Sequence, residues 1–437
     1  MTATAPSSTS HSERSAILAL GFGATVAMWA VGYVCRLPGI VAPAPLLLFL
    51  LLGCHFFAGF AAGRWTRSGW KIGFAAGLLT SVVNLLVLGS LLTSDQPNLV
   101  VPSALWWIPG SMLVAVLITT LGTIVGGWSE NREGRVRNWS GGFAVVTSAA
   151  TLLLLGVGGL VTTAEAGLAV VDWPNSFGYN MFLYPLSRMT GGIYYEHAHR
   201  LFGALVGLTT LVLAVHLQVV ESRPWVKRLA WSVLALVVGQ GIMGGLRVTE
   251  LNIYLAVAHG VLGQIIFAML AALALVTSTP WRSARAIGAS RAPFERRLGV
   301  VLLFSIVLQI LLGALYRHLG MGLMIHISCA MIVLLIAAAV GFRAWALYRD
   351  QEGLKRLGLL VLGTASVQVL LGFFALAVVG VGGVPQIITT SEMIFATLHQ
   401  AFAAVFLAVS LLLVLWTSLV LGAPRAAEKR EPSGSGS

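Results

Sequence analysis

The chain is poor in charge. Only 10% of its 437 residues are Asp, Glu, Lys or Arg, while 57% are hydrophobic. Soluble domains carry about 25% charged residues, so a soluble globular fold is excluded. Acidic residues are the scarcest, 15 against 27 Lys and Arg. The resulting charge of +12 is scattered over short loops, which argues against a nucleic-acid-binding surface and leaves contact with anionic lipid. Cysteine is nearly absent. Cys35, Cys54 and Cys329 are too few for a disulfide framework, and they are expected to pack as small buried residues.

What is present is long apolar runs. A membrane-spanning helix needs about 20 mostly apolar residues, and such stretches lie near 15–35, 43–63, 72–93, 104–127, 141–162, 193–217, 228–246, 252–278, 298–316, 321–342, 356–380 and 392–421. They are too long for barrel strands, and the bilayer core satisfies no backbone polar group, so all should be helices. With the N-terminus placed inside, only Arg36, Arg188, Arg200, Arg247 and Arg317 of the 27 basic residues fall on the outer side. Positive charge follows the inner side of membranes. The expected fold is therefore an all-α polytopic membrane protein of about twelve helices, with both termini inside. The Ser/Thr-rich tail 1–15 has no obvious small-residue cleavage site after it, and it reads as leading into a retained first helix.

Three parts follow. Residues 1–139 hold four helices and end in the charged run Ser129-Glu130-Asn131-Arg132-Glu133. Residues 140–280 hold four more. The linker Ser283-Ala284-Arg285-Ala286-Ile287-Gly288-Ala289-Ser290 lies within 281–437 and leads to the last four. The second and third parts read as two pseudo-symmetric four-helix bundles. Gln240-Gly241-Ile242-Met243-Gly244 matches Gln309-Ile310-Leu311-Leu312-Gly313 and Gln368-Val369-Leu370-Leu371-Gly372. His259 matches His399, and His199 matches His326. Equal orientation of the two units implies an axis along the membrane normal.

The four histidines carry the chemistry. Each lies roughly 9–14 Å below the outer boundary, at about 1.5 Å per residue. Ionisable side chains within membrane helices are costly and usually functional. One such histidine is more simply an interhelical hydrogen-bond donor. Four at matched depth and repeat position are expected to ligate metal, two per unit. No carboxylate or cysteine accompanies them of the kind zinc or copper sites add, so heme iron is the expected metal. His11, His55, His197, His216 and His318 lack this placement and read as structural or surface residues. Glu196 shares a helix face with His199 and Arg200. It is either a proton acceptor beside a ligand or a helix-start carboxylate paired with Arg200. The third part has no counterpart of Glu196 or Arg200.

The run Glu196-His197-Ala198-His199-Arg200-Leu201-Phe202-Gly203 resembles the Glu-x-x-His-Arg signature of the heme A synthase family. Ala166-Gly167-Leu168-Ala169-Val170-Val171-Asp172-Trp173-Pro174, Gly244-Gly245-Leu246-Arg247-Val248-Thr249, His259-Gly260, Gln368 with Gly372, and His399-Gln400 add to the likeness. It covers about 141–421. The resemblance implies eight helices in two bundles and oxidation of the C8 methyl of heme O to the formyl of heme A, for terminal oxidase biogenesis at the cytoplasmic membrane. It implies Glu196 as the catalytic carboxylate and His199 with His259 as the axial ligands of the substrate heme. It further implies His326 and His399 as ligands of a permanent heme b, heme O synthase as supplier, and an electron donor or acceptor of unknown identity. Arg200 and Arg247 are expected to neutralise substrate propionates and Arg317 those of heme b. A homo-oligomer is compatible with all of this.

The chain departs from the family in two ways. Many members have a cysteine pair in the first outer loop of the unit, and Thr163 to Gly192 contains none. The four N-terminal helices are additional, with an assembly or stabilising role as the default.

Two other classes fit the composition. A bis-His diheme quinol oxidoreductase would place its hemes across the bilayer, not side by side. A secondary transporter would show broken helices and a midplane polar site. Heme staining separates the transporter from both heme readings. His326→Ala or His399→Ala should remove the low-spin heme b, because a six-coordinate iron loses an axial ligand. A full wild-type heme b spectrum in either purified variant would rule these residues out as ligands.

Overall fold

The structure is a computed structural model that describes residues 8–94, 96–128, 138–379 and 388–423. The charged run at 129–133 and the basic residues of the C-terminal tail lie outside these. Among the described residues there is no β-sheet, only two isolated bridges, and twelve helices are long and apolar enough to cross a membrane. These are α1 (Ser8–Cys35), α2 (Ala44–Trp65), α3 (Gly69–Leu91), α4 (Ala104–Gly127), α5 (Trp139–Thr163), α6 (Gly191–Val220), α7 (Pro224–Thr249) and α8 (Ile253–Thr277), then α10 (Ala292–Leu319), α11 (Leu323–Leu347), α12 (Glu352–Val379) and α13 (Thr390–Val420). A one-turn helix, α9 (Thr279–Ser283), stands between α8 and α10. The chain is an all-helical, multi-pass membrane protein.

Helix ends follow local chemistry. Asn138, Asn252 and Thr389 cap α5, α8 and α13 by accepting backbone N–H bonds with their side chains, which satisfies donors the first turn would orphan. Several helices begin earlier than their apolar runs, α7 and α10 among them. Pro224 opens α7 and Pro293 lies in the first turn of α10, where a fixed φ and a missing N–H are no burden. The turn between α10 and α11 is tight, with Gly320 at φ 69° and Gly322 at φ 85°. Side chains resist that left-handed region. The three cysteines are partly exposed, not buried as expected. Cys54 and Cys329 lie on helices whose faces are largely open to lipid.

Packing arranges the helices in three groups. α5 to α8 each touch their chain neighbours, and α5 closes on α8. α10 to α13 close in the same way, α10 on α13. The two groups join through α5, α8, α10 and α13. Thr163 and Thr397 share a hydroxyl contact of 3.2 Å across that seam. α1 to α4 form the third group, in which α2 and α4 pack closely. Gly59 and Gly63 of α2 meet the backbone of Thr119 and Thr123, with no room for a Cβ, as small residues allow in membrane helix pairs.

The first group of helices leans on the second. Tyr33 stacks on Tyr194 at 5.3 Å, whose hydroxyl donates to the Tyr33 carbonyl at 2.6 Å. His216 lies within 3.1 Å of Ser15 and 3.0 Å of Ser140. On the outer side, Asn98 accepts from the Asn180 N–H at 2.7 Å, and Ser90 donates to the Phe182 carbonyl at 3.4 Å. The linker after α9 docks on the end of α13 through Ile287, Gly288 and Ala289 N–H groups.

Glu221 closes the turn between α6 and α7. Its buried carboxylate pairs with Arg223 and Arg282 at 2.8 Å each, and Arg223 also donates to the Val276 carbonyl at the end of α8. Burial alone would raise the Glu221 carboxyl, but the hydrogen bonds from Arg223 and the charge of Arg282 outweigh it and hold it at about 2, below its usual 4.5. A depressed carboxylate stabilises the fold fully above its unfolded value and loses that contribution as pH falls through the folded one. Glu221→Gln should therefore lower the melting temperature at pH 7. The gap to wild type should narrow as pH falls from about 4.5 toward 2. A gap that does not change over that window would show that the charge of Glu221 is not what stabilises the turn.

Candidate functional site

The structure brings the four histidines together as two pairs. His199 of α6 and His259 of α8 lie with ring centres 6.2 Å apart. His326 of α11 and His399 of α13 lie 6.3 Å apart. Within each pair the rings are steeply inclined, at 73° and 85°. A metal held between two imidazoles by bonds of about 2 Å sets ring centres roughly 6 Å apart. All four are half-buried, whereas His55, His197 and His216 are sealed in the interior. Nε2 of His199, His259 and His399 makes no hydrogen bond to a described residue, and Nδ1 of His199 and of His259 is buried without a partner.

Depth matches within pairs more than along the sequence. Because α11 begins at Leu323, His326 stands only one turn into its helix. His399 lies deep in α13, which begins at Thr390. The two rings still meet, since helix starts do not lie on one plane.

Each ring rests on a glycine of the helix before it. A Cβ at Gly158 would lie 2.9 Å from His199 Cε1, and one at Gly244 2.8 Å from His259 Cε1. Gly313 and Gly372 stand likewise, 2.9 and 3.0 Å from Cε1 of His326 and His399. The absent side chain also uncovers a carbonyl four residues earlier. Leu154, Gln240, Gln309 and Gln368 turn their backbone carbonyls toward the four rings in the same order. Metal-bound histidines commonly direct their second N–H at such an acceptor, and Nδ1 of His199 and of His259 makes no other hydrogen bond among the described residues. The repeated unit is thus a helical hairpin that bears a glycine on its first helix and a histidine on its second.

Three hairpins carry a further bond. The side-chain amide of Gln240 donates to the His259 carbonyl at 2.7 Å, Gln309 to that of His326 at 2.8 Å, and Gln368 to that of His399 at 3.1 Å. The α5–α6 hairpin has Leu154 in that place and no such bond. Gly158 and Leu154 are the residues that sequence reasoning missed. The available signal was a glycine at the repeat position, hidden because its glutamine is replaced.

The first pair has a cover. The loop between α5 and α6 folds over α6. Glu196 is buried and both its oxygens are engaged, Oε1 with Arg200 at 2.8 Å and Oε2 with the Val170 N–H at 2.8 Å. Arg200 also donates to the carbonyls of Val170, Asp172 and Asn175 at 2.8, 2.5 and 2.9 Å. Its four terminal N–H groups are therefore all spent on protein. His197 is fully buried and contacts Ser176 at 3.0 Å, so it holds the loop and is not a surface residue. Trp173 lies flat against Gly245, with no space for a Cβ there.

Asp172 caps the loop itself. Partial burial would raise it, yet the N–H groups of Gly178 and Phe177 and the nearby Arg200 hold it below the usual carboxylate range.

Among the described residues Arg247 donates only to the Gly167 carbonyl, at 3.2 Å, and Arg317 only to the Thr162 carbonyl, at 3.0 Å. Both keep N–H groups to spare among those residues, and Arg247 stands near His259 and both near His318.

No group of three or more His, Cys, Asp or Glu side chains able to hold a metal exists among the described residues. Two imidazoles alone suit a metal whose other ligands come from elsewhere, as a porphyrin supplies them. Residues 141–327 match the family model COX15-CtaA, described as cytochrome oxidase assembly protein. The match takes in His199, His259 and His326, and it stops before His399. No curated protein and no solved structure matches the chain.

If anionic groups of a bound ligand meet Arg247 and Arg317, then Arg247→Gln should weaken retention of the ligand at the first pair, and Arg317→Gln at the second, each by about tenfold. That is the range expected when a charge-assisted hydrogen bond is lost. Titration of the apoprotein with heme would measure both, and unchanged affinities would make them loop-anchoring residues only.

Proposed function

We propose, from the match of residues 141–327 to the COX15-CtaA family model, that the chain is a heme A synthase that oxidises the C8 methyl of heme O. The observation that carries this reading is the two histidine pairs at 6.2 and 6.3 Å, each seated on glycines. His199 and His259 would hold the substrate heme. His326 and His399 would hold a permanent heme b. When bound, heme iron supplies the redox couple through which electrons leave the methyl carbon.

The chain's own residues orient and enclose. The glycine seats and carbonyls fix the imidazole rings. Arg247 and Arg317 are the arginines with donors free for propionates, and Arg200 acts by pinning the loop. That loop keeps water from the outer side of the first pair. Oxidation of a methyl carbon releases protons as well as electrons. Glu196 is the only acidic side chain within the membrane part of this unit, about one turn from His199. Its bonds to Arg200 and Val170 hold it there, and each oxygen keeps a further lone pair to accept a proton.

The asymmetry of the pairs favours chemistry at the first, where a buried carboxylate stands three residues before the histidine and a loop covers the site. The hairpin repeat supports two related bundles side by side, with both pairs toward the outer face of a cell membrane. It also favours this reading over a quinol oxidoreductase whose hemes would span the bilayer.

Extraction and chromatography of hemes from the purified chain test the assignment. Heme b together with heme O or heme A is expected, and protein that binds no heme would overturn it. Glu196→Gln should keep the heme content while blocking conversion of heme O or trapping a partly oxidised heme. Near-normal heme A output would reduce Glu196 to a loop anchor.

A further inference from the structure

We propose that His199 is the exchangeable axial position of the first pair, and that the outer loop at 166–176 governs its seat where glutamines govern the other three. The proposal rests on the heme reading above and adds which ligand lets go. Three of the four histidines have their backbone tied to the neighbouring helix by a glutamine amide at 2.7–3.1 Å. The Nε2 atoms of Gln309 and Gln368 also lie 3.0 and 3.2 Å from Nδ1 of His326 and His399. Both members of the second pair thus have their helix tied to the neighbouring one. At the first pair only His259 has a tie.

Leu154 offers His199 no polar side chain. The polar side chains of α6 within one turn of His199 instead bond to one loop: Glu196 to Val170, Arg200 to Val170, Asp172 and Asn175, and His197 to Ser176. A helix-to-helix tie persists as long as the bundle does. A loop tie lasts only while the loop is docked, and loops open at lower free energy than packed helices. The same loop carries exposed apolar side chains at Leu168, Val171 and Trp173, which ease its movement through the membrane interface. Displacement of the loop therefore frees α6 around His199. His199 would then be free to leave a bound iron and to return to it, its lone pair going with the imidazole and no electron being transferred. A substrate that must leave as product needs one such ligand, and a permanent electron carrier needs none. Leu154 is on this view a positioning residue that distinguishes the exchanging site from the permanent one.

The test uses the full purified chain carrying its hemes, reduced with dithionite and mixed with carbon monoxide, which binds only when an axial ligand leaves. One heme should bind carbon monoxide readily and the other should not. Leu154→Gln supplies the missing tie at nearly constant volume and should slow carbon monoxide binding about tenfold at unchanged heme content. Leu154→Met, of similar size and without a donor, should keep the wild-type rate. Gln309→Leu removes a tie and should make the resistant heme reactive, which keeps the proposal testable should the Leu154→Gln protein fail to fold. Equal rates at both hemes in the wild type, or a Leu154→Gln protein as fast as wild type, would overturn the proposal and leave the heme reading intact. A wild-type chain without heme would sink that reading itself.

Discussion

An imidazole edge resting on bare helix backbone is the contact on which the functional half of this molecule depends. Within a membrane, a polar ring must find a partner or bear the cost of burial. A glycine on the preceding helix opens a route to a main-chain carbonyl that any larger residue would close. Gly158, Gly244, Gly313 and Gly372 provide that route four times. Two such hairpins then bring two rings to one another, and the pair spacing near 6 Å follows from how α5 closes on α8 and α10 on α13.

The two pairs share this frame but differ in what surrounds it. The second is tied by two glutamines. The first is covered by a loop held through a buried Glu–Arg pair, a buried histidine and main-chain bonds. A buried ion pair is weak support for stability by itself, because desolvation offsets attraction. Here Glu196 and Arg200 together satisfy one backbone N–H and three carbonyls of a loop that has no regular structure of its own. Their arrangement is better understood as shaping the loop than as strengthening the helix.

The four N-terminal helices act on the same loop from the other side. Asn98 and Ser90 reach Asn180 and Phe182, and Tyr33 stacks on Tyr194, two residues before Glu196. This chain has no cysteine between Thr163 and Gly192 that could staple the loop covalently. The contacts from Tyr33, Ser90 and Asn98 brace it noncovalently instead.

The sequence by itself determined the class of the molecule. Apolar runs long enough to cross a bilayer can only be helices, so number, order and approximate bounds were legible from composition and spacing. The three Gln-x-x-x-Gly runs and four outer histidines were legible as repeats for the same reason, since identical local environments demand identical residues. The partnering of Arg200 was not. Its spacing from Glu196 announced a pair, but three of its acceptors are main-chain carbonyls, which carry no residue signature. The fourth seat was hidden in a similar way. Gly158 is one of 49 glycines, and only the packing of α5 on α6 distinguishes it from the rest. Which histidine meets which, and which of them a loop controls, depends on contacts between segments far apart in the chain, and those are decided by tertiary structure alone.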